Sequence, residues 1–391
     1  METNICQDIK NMHIAILTQA LRYNYGGILQ NYALQTVLRR MGHDVVTLDP
    51  HRYHYKWWQY PILILRHTLT RYIRGYHEVP IFAEWFKDKE IRILGTNTFN
   101  FINRYIRRKE YWDLAKDVKE QDYDAFIVGS DQTWRWEYNR DMTKLTNMFL
   151  DFTKGWKVKR IAYAVSFGTN EWEGDAEITN ACSDAIKDFD LVTVRESSGI
   201  DICNNIFNVK AHHVLDPTLL LTKEDYMKLV ERKGHLDTKE GDLYLYLLDE
   251  NERNMNLANT ISKEMGLTPY TYTSRACDIH GVHSLEERIQ PPVELWLKGF
   301  DQAKIILTDS FHACVFSIIF RKQFYLYVNK DRGMERYTSL FNMLGIDNRS
   351  VLSIEDVEKM PPIDYNAVSK RLKELQEKSS SSLISLLNKV E

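Results

Sequence analysis

The chain has little of what would commit it to a redox, metal or membrane class. Its five cysteines (Cys6, Cys182, Cys203, Cys277, Cys314) are scattered over 391 residues. They show no paired spacing, which argues against a zinc module or a disulfide framework and suits a reducing compartment. No run approaches the eighteen or so apolar residues of a membrane span, and the opening METNICQDIKN has no apolar signal core. A net charge of -3 leaves no electrostatic footprint for nucleic acid, so none is expected as a partner. The three-glycine dinucleotide fingerprint is absent, and NAD or FAD binding is not supported. His212 and His213 lack spaced carboxylate or cysteine partners, so no metal is expected, and nothing demands a cofactor.

What is present is an ordinary globular composition, 44% hydrophobic and 27% charged, in a chain long enough for two cores. Short apolar runs end repeatedly in polar residues. Ile14–Leu17 leads to NYGGILQNYALQ at 24–35, then to a strand at Val45–Leu48 closing on Asp49. Asp124–Val128 runs into Gly129-Ser130-Asp131-Gln132, Ile161–Val165 into Ser166-Phe167-Gly168, and Leu191–Val194 into Arg195-Glu196. After Asp216-Pro217-Thr218 a second series starts at Leu243–Leu248, with further strands at Pro269–Thr273, Lys304–Thr308 and Phe324–Val328. β-branched runs separated by helical patterns predict buried parallel sheets. The fold class expected is α/β, two Rossmann-like domains facing a cleft. Their limits are 1–220 and 221–353, with a helical tail at 354–391 folding back across the first domain.

The carboxyl edge of such sheets is where ligands bind, because backbone N–H groups and positive helix ends converge there. Thr308-Asp309-Ser310-Phe311-His312 lies at such an edge. His312 can exchange protons near neutral pH; the competing reading is a helix cap (Asp309 or Ser310) followed by a packed histidine. Asp131 is either a carboxylate for an acceptor sugar or base catalysis, or, with Ser130, a helix cap. Gly26 and Gly27 permit close approach of a sugar or anion, or form a tight turn. Trp134 and Trp136 are candidates for stacking on a sugar ring or for the core. Asp49 either binds a hydroxyl or ends its strand.

Residues 51–112 interrupt the pattern with Trp57, Trp58, Tyr60, Trp85 and Trp112 amid an excess of Lys and Arg. A helix over Ile62–Tyr76 would carry aliphatic and aromatic residues on one side and arginines on the other. Two readings are open: an inserted helical pair packed on the first domain, and peripheral membrane contact through 57–76.

In order, NYGGILQNYALQ, YDAFIVGSDQTW, RIAYAVSFG, VTVRESSG, VLDPTLLL, TDSFHACVFSIIF and ERYTSLFNMLG resemble the polysaccharide pyruvyl transferase family. The resemblance runs from about Met12 to Ser353, excluding 51–112. It implies a transferase that moves pyruvate as a ketal from phosphoenolpyruvate to a sugar of a surface polysaccharide or its lipid-linked precursor, expected in the cytoplasm from its scattered cysteines. It also implies a fold similar to GT-B glycosyltransferases. The family's histidine falls on His312 and its VRE-type arginine on Arg195, an expected anion clamp. Where relatives carry Arg-Leu-His this chain has Ser310-Phe311-His312, so one arginine is missing. Ser310, Arg332 and Arg336 are the expected donor contacts. A GT-B-type glycosyltransferase using a nucleotide sugar, and a non-catalytic saccharide-binding scaffold, are the alternatives.

Overall fold

The computed structural model describes residues 11–52, 55–73, 81–274, 284–328 and 334–387. Its strands are β1 (His13–Leu17), β2 (Asp44–Pro50), β3 (Arg108–Tyr111), β4 (Ala125–Val128), β5 (Lys159–Val165), β6 (Leu191–Val194) and β7 (His212–His213). These are followed by β8 (Leu243–Tyr246), β9 (Pro269–Tyr270), β10 (Ile305–Thr308), β11 (Gln323–Tyr327) and β12 (Ser350–Val351). Among the described residues they form two sheets, ordered β3-β2-β1-β4-β5-β6-β7 and β12-β11-β10-β8-β9. Every pairing is parallel. Each order reverses once, between β1 and β4 in the first sheet and between β8 and β10 in the second. A reversal leaves the crossover helices on opposite faces and opens a crevice at the carboxyl ends of those two strands.

The central strands explain themselves. The side chains of β4 and most of β5 and β10 are buried, as expected for strands covered by helices on both faces. The helix Tyr25–Arg40 starts at Asn24, whose side chain accepts from the Gly27 N–H at 3.3 Å, and ends in Arg39 and Arg40, which complement its dipole. Its apolar residues share one core with the second sheet: Tyr25 lies 5.4 Å from Trp296, ring to ring. The two halves are thereby packed together beside the crevices.

Two sequence expectations change. The stretch 51–112 is more than a helical pair: it holds helices Tyr60–Tyr72, Ala83–Leu94 and Thr96–Tyr105 and then β3, the sheet's edge. It is the β2–β3 crossover. The sequence RKEY hides this strand because an edge strand needs no apolar face. The tail is one helix, Tyr365–Leu387, uninterrupted at Ser379–Ser382. There Ser381 and Ser382 return their hydroxyls to the carbonyls of Glu377 and Lys378, so the serines leave the helical ladder intact. This helix begins on the second half, where Tyr365 packs with residues of the second sheet. It ends on the first, where Leu383 and Leu387 join Ile14, Ile127 and Tyr163. No helix of the described residues is long and apolar enough to cross a membrane.

Candidate active site

The reversals of the two sheets face one another. Between them lies a cavity of about 360 Å³, lined from the first half by Asn24, Asp131, Gln132, Arg135 and Tyr138. Leu248, Asp309, Ser310, Phe311, His312, Arg336 and Tyr337 line it from the second. A larger hollow of about 1150 Å³ opens near His13, Asp124 and Lys159, at the amino-terminal ends of the first sheet's strands. Parallel sheets do not use that edge for ligands, and we place the site in the smaller cavity.

Asp309 does not cap the helix Phe311–Ile319. Its carboxylate accepts from the N–H groups of Leu248 and Asp249 at 2.7 and 3.0 Å, tying the ends of β8 and β10 together. Ser310 occupies the cap position without a side-chain cap bond, so this helix start is left to the cavity. His312, the second residue of that helix, is buried. Gly26 explains how the first half comes so close, since a Cβ there would sit 2.1 Å from His312 Nδ1. At Gly27 a Cβ would lie 3.3 Å from Asp131 Oδ2. Gly26 thus closes the seam between the halves with His312 packed against it, whereas Gly27 makes room for Asp131 of its own half.

Asp131 does not cap a helix either. No helix starts there; its φ is 79°, in the left-handed region that costs a non-glycine residue strain. Its backbone carbonyl accepts from Thr133 and Ser166, which fixes the turn. The carboxylate takes the Gln132 N–H at 2.9 Å and lines the cavity.

Arg195 is where expectation and structure part most. Its side chain is 1% exposed. The guanidinium donates to Glu196 Oε1 at 3.0 Å and to Asp216 Oδ2 at 3.1 Å, with Ser130 Oγ at 3.3 Å and Asp131 Oδ1 at 3.8 Å. Burial acts to lower its pKa, but Glu196, Asp216 and Asp131 together outweigh it and hold the charge on. Arg195 is therefore turned inward onto carboxylates and does not line the cavity. It stacks 4.8 Å from the Phe311 ring centre, behind the histidine.

Asp216, which sequence reasoning took for an interdomain break, is the hub of this network. It accepts from Ser130 Oγ at 2.7 Å and from the Thr218 hydroxyl and N–H at 2.6 and 3.0 Å. Its Oδ2 also stands 3.8 Å from His312 Nε2. Burial would raise its pKa, yet His312, Arg195 and Thr218 hold it below the usual carboxylate range. For His312 burial wins and lowers the pKa: Asp216 and Asp131 pull it up, while Arg195 and Arg336 push it down. Their surroundings thus favour the charged form of Asp216 and the neutral form of His312, across a 3.8 Å gap that is too long for a hydrogen bond. His312 Nε2, Arg195 Nη2 and Glu196 Oε2 are buried with no hydrogen-bond partner.

The cavity draws its cations from elsewhere. Arg336, expected from sequence, lines it from the second half, 5.8 Å from the Phe311 ring centre. Arg135, not expected, lines it from the first half, oriented by Gln132 Oε1 at 3.0 Å and Glu173 at 3.3 Å. Arg332 lies outside the described residues. Trp134 is fully buried, stacked on Phe149 at 4.4 Å with its indole N–H on the Met148 carbonyl, so it belongs to the core. Tyr138, 55% exposed, is the aromatic residue the cavity has in its place. Asp49 is structural: it holds the Leu21 N–H and Arg108 at 3.1 and 3.0 Å, and burial pushes its pKa up to about 6.

A family model described as Polysaccharide pyruvyl transferase matches residues 24–331. This span includes 51–112 and stops short of ERYTSLFNMLG at 335–345. Among curated proteins no match is found. Among solved structures, Arabidopsis thaliana UGT89C1 complexed with quercetin aligns at a TM-score of 0.50 and 10% identity, over 97% of this chain and all of that one. Acinetobacter baumannii MurG aligns at 0.43 and 10% identity, over 97% of this chain and 99% of that one. The fold is that of the GT-B glycosyltransferases.

Proposed function

Because this chain belongs to the polysaccharide pyruvyl transferase family, we propose that it transfers pyruvate from phosphoenolpyruvate, as a ketal, to a sugar of a surface polysaccharide or its precursor. The observation that carries this is the meeting, in one cavity between two GT-B-like halves, of a buried histidine, a carboxylate and two arginines. Ketal formation needs all of these groups. A proton must reach the enol methylene, two sugar hydroxyls must each lose one, and the donor's phosphate and carboxylate need cations.

The roles follow from position. Arg135 and Arg336 hold the donor from opposite sides, with Ser310 and the uncapped helix start supplying neutral donors. Arg336 thus takes up the work of the arginine missing at Ser310. His312, neutral before the donor binds, gains a proton as the donor's negative charge offsets the two cations that depress its pKa. It passes that proton to the methylene carbon, which becomes a methyl group. The adjacent carbon, now cationic, is attacked by one hydroxyl and, after the C–O bond to phosphate breaks, by the second. Asp131 accepts the proton of the first hydroxyl and hands it to the departing phosphate, and His312, neutral again after its transfer, accepts the proton of the second. Asp216 and Arg195 touch no substrate in this scheme; they fix the position and charge balance of His312 and Asp131.

Incubation with labelled phosphoenolpyruvate and candidate saccharides, following phosphate release and ketal formation by mass analysis, tests the reading. Acceptor-dependent transfer of sugar from a nucleotide donor, with phosphoenolpyruvate untouched, would overturn it in favour of a glycosyltransferase. Tight saccharide binding with neither reaction would make the protein a scaffold.

A further inference from the structure

The β2–β3 crossover carries a surface that the catalytic reading does not use. Along the helix Tyr60–Tyr72 and its flanks, Trp58, Ile62, Leu65, Leu69, Tyr72 and Ile73 recur at intervals of three and four residues, so they share one face. That face points outward: Ile62 is 62% and Ile73 75% exposed, and Trp57 just before the helix is 81% exposed. The opposite face carries Tyr60, which hydrogen-bonds the buried Asp88 and meets Trp85 edge to face at 5.5 Å. Helix Ala83–Leu94 thereby extends the apolar surface with Trp85 and Phe86, both more than half exposed. Soluble monomers rarely leave so large an apolar patch bare.

Charge decides what covers it. No Asp or Glu stands between Asp49 and Glu78, while Lys56, Arg66 and Arg71 fall on or beside the exposed helix. A second copy of this chain is disfavoured, because a two-fold contact would bring those cations against each other. An apolar helical face bordered by cations and led by a tryptophan pair fits the interface of an anionic bilayer, rings and aliphatic chains among the acyl groups and cations at the phosphates. The surface also leaves the sheet at the carboxyl end of β2, the same edge that carries the cavity.

We infer that the protein docks on anionic membranes through the outward face of helix Tyr60–Tyr72. The inference does not rest on the identity of the donor. Sedimentation with vesicles of equal parts phosphatidylglycerol and phosphatidylcholine, against phosphatidylcholine alone, tests it. Expected is binding to the anionic vesicles that weakens with salt. Replacing Arg66 and Arg71 by Gln should weaken it about fivefold per charge, and the combined Ile62→Ser, Leu65→Ser, Leu69→Ser variant should abolish it. Circular dichroism and melting temperature establish that the variants remain folded. Equal binding to both vesicles, or none to either, overturns the inference. So does a dimer in light scattering that the triple variant dissociates, because a second copy would then cover the face.

Discussion

Two polar strand ends of almost the same composition meet across the cavity, Gly129-Ser130-Asp131 after β4 and Thr308-Asp309-Ser310 at the end of β10. They do opposite work. In the first, the serine turns inward to Asp216 and the aspartate is left to the cavity. In the second, the aspartate secures the β8 loop and the serine is left to the cavity with the uncapped helix start. Behind the first strand end lies a network of fixed opposite charges, Arg195 with Glu196, Asp216 and Asp131. Behind the second lies a single histidine with an unsatisfied nitrogen, whose burial favours the neutral form. A strand edge is thus not a site by itself; what matters is which polar group is spent on architecture and which is left over. On the proposed reading, the first half stores fixed charge and the second offers a proton carrier whose state depends on what binds.

The largest effect expected from this contrast is on the carrier. His312→Gln should cut kcat by roughly 10²–10⁴, the usual range for lost general acid catalysis. Melting temperature should hold and donor KM should move much less. The second effect falls on the store. Arg195→Ala leaves three carboxylates buried without their counter-charge and should cost about 3–5 kcal/mol of stability, read by denaturant unfolding. A folded Arg195→Ala enzyme altered only in donor KM would reverse the assignment and restore Arg195 as the anion clamp.

A smaller loss separates the cavity arginines from the inward one. Arg336→Ala should raise donor KM by tenfold or more, since a charge-assisted contact contributes about 1.5–3 kcal/mol, with stability close to wild type. The same measurement on Arg135→Ala checks the first half's cation.

How much of this is legible in the sequence depends on how far apart the partners lie along the chain. The central strands, the two-sheet plan and the place of His312 at the carboxyl edge of β10 can be read because each is a local pattern. Arg195 stands out but its role does not, because the carboxylates that enclose it come from residues 131, 196 and 216. Asp216 gives only the signal of a break before proline, and its function exists only once β7 brings it under β6. Trp134 and Tyr138 are interchanged for the same reason: an aromatic residue after a strand reads alike whether it turns into the core or to the cavity. Arg135 lies three residues before Tyr138, past the same strand end as Asp131, and gives no local signal of its own.

The smallest expected effect is on the pH dependence of stability. Burial lowers the pKa of His312, and of His213, below the ordinary value. The unfolded chain therefore binds these protons more readily. Their contribution is complete above about pH 6.5 and is lost as pH falls through the folded values. His312→Gln should flatten that slope by one group in urea titrations spanning roughly pH 5–7.

Calorimetric titration with phosphoenolpyruvate, in two buffers of different ionisation enthalpy near neutral pH, needs no acceptor and addresses the central claim directly. Wild-type protein should bind with uptake of protons, the uptake should disappear in His312→Gln, and Arg336→Ala should bind weakly. Absence of binding, or binding with the same proton balance in wild type and His312→Gln, would contradict the assignment of His312 as a proton carrier charged by its donor.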